Sequence, residues 1–169
     1  YEINTDAMPP GQKIVKRMLD VFISFFSILL LIPFYTIMAL LVKVSSKGPV
    51  LFLQERIGIH GEKFNIIKFR TMYTDAEKSG PQLSSENDPR VTRIGRVIRK
   101  FRLDEFPQFF NVLVGDMSLV GPRPERQFYI DQISKMEPQF LQLNKVRPGI
   151  TSWGQVKFGY AEDIDQMIQ

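Results

Sequence analysis

The chain has 169 residues, enough for one domain with a modest core. Its formal net charge of +4 favours anionic partners, and composition alone leaves nucleic acid, phospholipid headgroups and a phosphorylated substrate open. It has no cysteine and a single histidine, His60, which excludes a thiol nucleophile and a Cys/His zinc site. Any chemistry is therefore expected to use carboxylates.

The strongest compositional signal is an uncharged run from Val21 to Val42, VFISFFSILLLIPFYTIMALLV. At roughly 22 residues it is long enough for a membrane helix, and Pro33 removes a helix hydrogen bond and predicts a kink. Basic residues flank both ends, so the positive-inside tendency gives no direction of crossing. The residues alone leave two interpretations open: a single tilted span, or a helix that enters and returns on the same face.

The next segments predict a β-hairpin. VLFLQERIG and KFNIIKFRTM are rich in β-branched and aromatic residues and flank IHGE. His60 lies in this turn, where a surface role is expected rather than a catalytic one. The polar segment 73–90, which contains glycine and proline, is expected to form a long loop.

The segment RVTRIGRVIRKFR predicts a basic amphipathic helix that Gly95 weakens. Its basic face is either a solvated surface over a core or a contact for lipid headgroups or substrate phosphates, and a membrane segment in the same chain favours the contact. Arginine recurs at every third position of this segment: Arg90, Arg93, Arg96, Arg99 and Arg102.

In LDEFPQFFNVLVG the pattern predicts a helix that begins at an acidic pair, with Asp104 as N-cap, Glu105 in the first turn, Pro107 early and Gly115 as the stop. Helix capping alone would explain the acids. A functional explanation is also open, because two carboxylates at a helix start can address one centre and free amides there suit a phosphate.

A carboxylate that attacks phosphorus approaches a group that is already negative, so nearby cations must offset the repulsion. The sequence offers arginines and a lysine, and Mg²⁺ is the expected metal because its ligands would be hard oxygens. In GPRPE, prolines on both sides of Arg123 restrict its backbone. The available cations are Arg102, Arg123, Lys68 and Arg70.

Several segments together resemble one known family. The apolar run with its proline, FLQERIG, IIKFRTM, TRIGRVIRKFRLDEFPQFFNVLVGDMSLVGPRPE and VRPGIT are similar to the bacterial sugar transferases called monotopic phosphoglycosyl transferases, over most of the chain from Lys16 onward. The resemblance implies transfer of a sugar phosphate from a UDP-sugar to polyprenol (undecaprenyl) phosphate with release of UMP, at the start of a surface polysaccharide pathway. It also implies a re-entrant helix broken at Pro33 and a catalytic domain on the cytoplasmic face of the bacterial plasma membrane.

The resemblance also assigns roles within the site. It implies that Asp104 is the nucleophile that forms a covalent phosphosugar intermediate, with Mg²⁺ at the acidic pair and Glu105 as metal ligand or acid/base. Arg123 resembles the family's phosphate-binding arginine. Further candidates for binding substrate phosphate are Arg102, Lys68, Arg70 and Arg56.

The expected organisation follows from this resemblance. Residues 1–15 are predicted to be a linker, 16–47 a re-entrant helix and 48–169 a catalytic domain cut short at its C terminus, as part of a larger exopolysaccharide, capsule or O-antigen enzyme. One departure from the family pattern is Ser152, which follows RPGIT where relatives commonly have glycine.

The predicted fold is α/β and membrane-associated, with the re-entrant helix, a small β-hairpin and amphipathic helices at the bilayer surface. Expected partners are the UDP-sugar, polyprenol phosphate and the lipid bilayer, a homodimer is considered, and nucleic acid is not expected. The alternative function is a membrane-anchored, non-enzymatic scaffold whose basic helix binds lipid. A nucleic-acid-binding module would explain the arginines but not the apolar run.

Overall fold

The computed structural model describes residues 9–76, 80, 82 and 88–158. Residues 1–8 of the predicted linker, much of the predicted loop and residues 159–169 lie outside the described residues. The described residues mix helices with small sheets, which agrees with the predicted α/β class. The prediction named one hairpin, and a second two-stranded sheet is also present among these residues. In chain order the elements are α1 (Pro10–Leu30), α2 (Ile32–Ser45), β1 (Leu51–Ile57), a 3₁₀ turn (Ile59–Gly61), β2 (Lys63–Phe69), α3 (Arg93–Lys100), a 3₁₀ turn (Leu103–Glu105), α4 (Gln108–Val114), β3 (Ser118–Val120), α5 (Gln127–Met136), a 3₁₀ segment (Pro138–Lys145), β4 (Gly149–Thr151) and α6 (Trp153–Phe158).

The predicted kink in the apolar run is confirmed. α1 and α2 meet at Leu31 with a bend of 64°, and Pro33 lies in the first turn of α2, where its missing N–H is tolerated. Taken singly, none of the described helices has the length and apolar character needed to cross a membrane, whereas the bent pair meets both criteria together. Helix α1 begins at Pro10, ahead of the predicted boundary at Lys16.

A buried carboxylate attaches α1 to the rest of the protein. Asp20 is 5% exposed and accepts hydrogen bonds from Ser118 Oγ at 2.8 Å, Leu119 N at 3.2 Å and Lys16 Nζ at 3.2 Å. The guanidinium of Arg17 donates to two carbonyls in the last turn of α4, at 2.7 and 3.1 Å. Because a buried charge is costly unless it is hydrogen-bonded, these contacts fix α1 against α4 and β3.

The predicted hairpin is confirmed. Strands β1 and β2 pair antiparallel along their whole length, and His60 lies exposed at the turn with a φ of 58°. Helix α4 packs against β2 through the buried Asn111, whose Nδ2 donates to Asn65 O at 2.8 Å and whose Oδ1 accepts from Ile67 N at 3.0 Å. These bonds hold β2 in register with α4.

Helix α3 is confirmed, with Thr92 as N-cap accepting from Gly95 N at 2.9 Å. Gly95 does more than weaken the helix, because a Cβ there would lie 2.0 Å from the carbonyl oxygen of Thr71. The glycine thus allows α3 to approach the chain that follows β2. Phe101, which follows the last residue of α3, is 64% exposed.

The prediction that a helix begins at the acidic pair, with Asp104 as N-cap, is wrong. Asp104 and Glu105 lie in a separate 3₁₀ turn, and α4 begins only at Gln108, after Pro107. The physical reason is Arg102, whose left-handed backbone (φ 55°) ends α3 and starts the tight turn. The predicted stop at Gly115 is confirmed by its φ of 106°.

Strands β3 and β4 pair in parallel and fix the segment that carries Arg123. Gly149 N donates to Pro122 O at 2.8 Å and Gly121 N to Thr151 O at 3.1 Å. The two glycines touch, since a Cβ on Gly149 would lie 2.1 Å from Gly121 N.

Ser152, the departure from the family pattern, forms a capping box at the start of α6. Its Oγ accepts from Gln155 N at 3.1 Å, and Gln155 Oε1 accepts from Ser152 N at 3.0 Å. The serine therefore has a structural role of its own at this position.

Candidate active site

The acidic pair lies where β2, α3 and the segment after β3 converge. Glu105 is 7% exposed, and its Oε1 lies 3.3 Å from Lys68 Nζ and 3.8 Å from Arg123 Nη1. Asp104 precedes it in the same turn and is partly buried. The structure therefore brings together Asp104, Glu105, Lys68 and Arg123, four of the residues that the sequence nominated.

Lys68 lies near the end of β2 and points toward the acidic turn. Burial lowers the pKa of its ammonium group, repulsion from Arg123 adds to the lowering, and attraction to Glu105 opposes it. A buried lysine is stable only with a partner, and the pair with Glu105 supplies one. The pair with Glu105 thus fixes the Lys68 ammonium group beside the acidic turn.

The surroundings of Asp104 perturb the ionisation of its carboxyl group. Burial raises its pKa above the ordinary value; Lys68 opposes this, Glu105 adds to it, and Arg99 also opposes it. A carboxylate that is poorly solvated is a stronger nucleophile than one surrounded by water, provided that nearby cations keep it ionised. Lys68 and Arg99 are the cations that oppose the rise in pKa here.

Arg99 is a site residue that the sequence did not single out among the arginines of its helix. It lies in the last turn of α3, its Nε donates to Thr71 Oγ1 at 2.8 Å, and its charge acts on Asp104. The sequence could not single out Arg99 because all five arginines of the segment recur at the same interval. The predicted phosphate-binding Arg102 is exposed, and its left-handed backbone has the structural role described above.

Arg123 connects the acidic pair to a second carboxylate. Its Nη1 faces Glu105 at 3.8 Å, whereas its Nε faces Glu125 Oε1 at 3.5 Å. Its side chain is 29% exposed, so the guanidinium remains accessible to an anion. This geometry supports the predicted phosphate-binding role.

Two further predicted phosphate-binding arginines are engaged in structural contacts. Arg56 Nη1 lies 2.9 Å from Glu125 Oε2 and donates to Pro124 O at 3.0 Å, and burial lowers the pKa of its guanidinium, which Glu125 opposes. Arg70 is 6% exposed and donates to the carbonyls of Ser46 and Lys47 at 2.8 and 2.6 Å, at the end of α2. Their binding of substrate phosphate stays a prediction that these contacts do not favour.

The two carboxylates of the acidic pair suit one kind of magnesium site. Among the residues that the structure describes, no group of three or more His, Asp or Glu side chains is arranged to hold a metal. Mg²⁺ is commonly held by one or two carboxylates together with water and substrate phosphates rather than by a protein cage. Asp104 and Glu105 are the two carboxylates that would hold such an ion together with water and substrate phosphates.

Arg123 also lines a small pocket beside the site. Its walls come from the hairpin turn, the PRP segment and the 3₁₀ segment Pro138–Lys145, and include Phe140, Leu143 and Asn144. Arg123 lines this pocket and also pairs with Glu105.

Comparison with known proteins gives a consistent result. A family model described as bacterial sugar transferase matches residues 11–169. The chain is 47% identical, over 92% of its length, to a UDP-N-acetylgalactosamine-undecaprenyl-phosphate N-acetylgalactosaminephosphotransferase of Aeromonas hydrophila. It is 42% identical, over 76% of its length, to a putative undecaprenyl-phosphate N-acetylgalactosaminyl 1-phosphate transferase of Bacillus subtilis, and 39% identical, over 92%, to a UDP-glucose:undecaprenyl-phosphate glucose-1-phosphate transferase of Escherichia coli.

The match covers different shares of these relatives. The chain spans 37% of the Aeromonas protein and 33% of the Escherichia protein, but 72% of the Bacillus protein. The acidic turn, Lys68 and Arg123 all lie inside the region that the family model matches. The chain belongs to the bacterial sugar transferase family.

Proposed function

We propose that the chain is the catalytic part of a transferase that moves a sugar phosphate from a UDP-sugar to polyprenol phosphate and releases UMP. The observation that carries the proposal is the acidic turn, where Asp104 and Glu105 lie among Lys68, Arg99 and Arg123. The relatives' names, which specify undecaprenyl phosphate as acceptor, support the reaction class. They differ in the sugar, so the sugar is left to experiment.

In the first step, an oxygen of the Asp104 carboxylate attacks the phosphorus that carries the sugar. The new bond joins Asp104 to phosphorus, and the bond from that phosphorus to the UMP oxygen breaks. UMP leaves with the electron pair of that bond, and the enzyme holds a phosphosugar as a mixed anhydride. The raised pKa of Asp104 fits a nucleophile that is poorly solvated.

The cations around Asp104 reduce the repulsion between this carboxylate and the donor phosphates. Arg123 is suited to bind an oxygen of the diphosphate, because one side of its guanidinium faces the acidic pair. Lys68 keeps a positive charge beside both carboxylates as negative charge moves onto the leaving group. Mg²⁺, held by Asp104 and Glu105 with the substrate phosphates, would supply further neutralisation of that charge.

In the second step, a phosphate oxygen of polyprenol phosphate attacks the same phosphorus. The bond between phosphorus and Asp104 breaks, which regenerates the carboxylate and releases polyprenol diphosphate sugar. Because both half-reactions use one centre, the enzyme needs a single preorganised set of cations. The acceptor reaches it from the lipid phase, so the site must lie near the membrane surface.

The proposal includes a bilayer location for α1 and α2, with the helix re-entrant and the catalytic part on the cytoplasmic side. A bend of 64° within one apolar run supports this. The two helices also expose more large apolar side chains than is usual for a surface in contact with water. The exposed apolar residues of this pair include Leu19, Phe22, Phe25, Phe26, Leu29, Leu30, Ile37 and Leu40.

The experiment that tests the transfer is an intact-mass measurement of the detergent-solubilised full chain. The protein is incubated with Mg²⁺ and a panel of UDP-sugars, without polyprenol phosphate, beside Asp104→Asn. We expect one sugar to add the mass of its phosphosugar to the wild type alone. Folded wild-type protein that gains no mass with any donor would contradict the proposal and favour the membrane-anchored scaffold.

A further inference from the structure

We propose that Glu125 is a positioning residue that holds Arg123 toward the donor phosphates, and that Arg56 in turn holds Glu125. The inference rests on the proposed function, because it concerns the arginine that binds the donor in that reaction. It shifts the role of Arg56 from contacting phosphate to supporting the residue that does.

The two carboxylate oxygens of Glu125 serve two different arginines. Oε2 lies 2.9 Å from Arg56 Nη1, and Oε1 lies 3.5 Å from Arg123 Nε. Glu125 is 8% exposed, so little water competes for either oxygen. The carboxylate is therefore fixed on one side by a buried arginine and presents its other oxygen to Arg123.

The backbone around Glu125 is fixed as well. Ile57 N donates to Glu125 O at 2.9 Å, and Arg56 Nη1 donates to Pro124 O at 3.0 Å, which ties this segment to β1. On the other side of Arg123, Pro122 O accepts from Gly149 N at 2.8 Å. A side chain anchored at both flanks and through Nε has few orientations left, which is the condition for preorganised binding.

Different atoms of Arg123 serve the two glutamates, and this separation gives the arrangement its function. Nε faces Glu125 while Nη1 faces Glu105 at 3.8 Å, so a donor phosphate competes with Glu105 for the Nη side and leaves the Nε side in place. Neutralising Glu125 removes the hold on Nε. Arg123 then rotates toward Glu105 and away from its binding orientation.

The test uses Glu125→Gln in the full chain reconstituted in lipid nanodiscs, with the UDP-sugar that labels the wild type. We expect KM for that donor to rise about ten- to a hundredfold, the size expected when a positioned group is displaced, while kcat changes less. A role confined to stability would lower the amount of folded enzyme and reduce the apparent kcat without raising KM. Unchanged donor KM in Glu125→Gln would overturn the proposal.

A double-mutant cycle asks whether Glu125 acts through Arg123. In an Arg123→Lys background, which lacks the Nε contact, we expect Glu125→Gln to raise KM by less than threefold, because the group it positions is already gone. An equal rise in both backgrounds would contradict the inference. If Glu125→Gln does not fold, Glu125→Asp keeps the charge but shortens the reach, and the same rise in KM is expected of it, with no rise as the opposing outcome.

Glu55→Gln is the matched control, because Glu55 is the neighbour of Arg56 in β1 and forms an exposed pair with Lys63 at 2.9 Å. We expect its KM and kcat to equal those of the wild type. The two proposals fail in distinguishable ways. A wild type that forms no phosphosugar adduct overturns both, whereas a normal wild-type adduct with normal donor KM in Glu125→Gln overturns the positioning role alone.

Discussion

The anchor of α1 and the acidic turn both bury carboxylates, but they treat them differently. Asp20 accepts hydrogen bonds from a hydroxyl, a backbone amide and a lysine at 2.8 to 3.2 Å. Glu105 in the acidic turn is surrounded by cations at longer range, with Lys68 at 3.3 Å and Arg123 at 3.8 Å. The partners of Asp20 include a hydroxyl and a backbone amide, which hold structure together, whereas the two cations beside Glu105 can also attract an anionic ligand.

The difference teaches that burial alone does not identify a reactive acid. Asp104 is distinguished by a raised pKa that neighbouring cations oppose, and by its place in a turn that belongs to neither flanking helix. Replacing the acids one at a time should therefore separate stability from chemistry. Asp104 should affect chemistry alone, and Asp20 should affect stability alone.

The largest effect is expected for Asp104→Asn. It removes the nucleophile, so turnover should fall by a factor on the order of 1,000 or more. The melting temperature should stay within a few degrees of the wild type, because the substitution removes a charge whose burial is unfavourable while Lys68 keeps its pair with Glu105. Thermal unfolding and a UMP-release assay measure the two quantities. Asp131→Asn is the control, since that exposed aspartate accepts a hydrogen bond from Gln127 at the surface of α5. Retained turnover in Asp104→Asn would contradict the assignment of Asp104 as the reactive acid and Asp20 as the structural one.

The next largest effect is expected for Gly149→Ala. The added Cβ would lie 2.1 Å from Gly121 N, and the parallel pairing of β3 with β4 would have to open. A clash between backbones of this kind should cost about 3 kcal/mol in the free energy of unfolding, measured by urea denaturation. Gly154→Ala in α6 is the control, because nothing lies within 4 Å of its added Cβ. Equal stability of the two variants would show that β3 and β4 do not fix the segment carrying Arg123.

A smaller effect is expected for Asp20→Asn. The amide keeps one acceptor oxygen but loses the charge that pairs with Lys16 and presents an NH₂ group to donors, so stability should fall by about 1 to 3 kcal/mol. The folded fraction should still form the phosphosugar adduct at the wild-type rate, which intact mass at a fixed time would measure. Loss of adduct formation in fully folded Asp20→Asn would place α1 in the chemistry and not only in the anchor.

The sequence predicted the elements whose signals are local. The hairpin followed from two β-rich segments around a short turn, the bend from Pro33, and the helix stop from Gly115. The acidic pair and Arg123 could be named because their neighbours, a run of basic residues and two prolines, lie close along the chain. Most residues of the candidate site could therefore be named from the sequence.

Geometry set by distant or irregular backbone was not predictable. The prediction that Asp104 is an N-cap was wrong because Arg102 adopts a left-handed backbone conformation, which the sequence pattern did not predict. Arg99 was hidden among arginines of equal spacing. The contact between Arg56 and Glu125 joins residues 69 positions apart, and only the fold brings them together.

The smallest effect is expected for Arg70→Lys, and it separates two cations that look alike in sequence. Lys68 and Arg70 are two residues apart, so a continuous strand would point both toward the acidic turn. Strand β2 ends at Phe69, however, and Arg70 turns to donate to the carbonyls at the end of α2. Lysine can reach one carbonyl but not both, so Arg70→Lys should lower stability by about 1 kcal/mol and leave donor KM unchanged. Lys68→Met is the matched comparison and should raise donor KM. A rise in KM for Arg70→Lys at unchanged stability would return Arg70 to the phosphate-binding set.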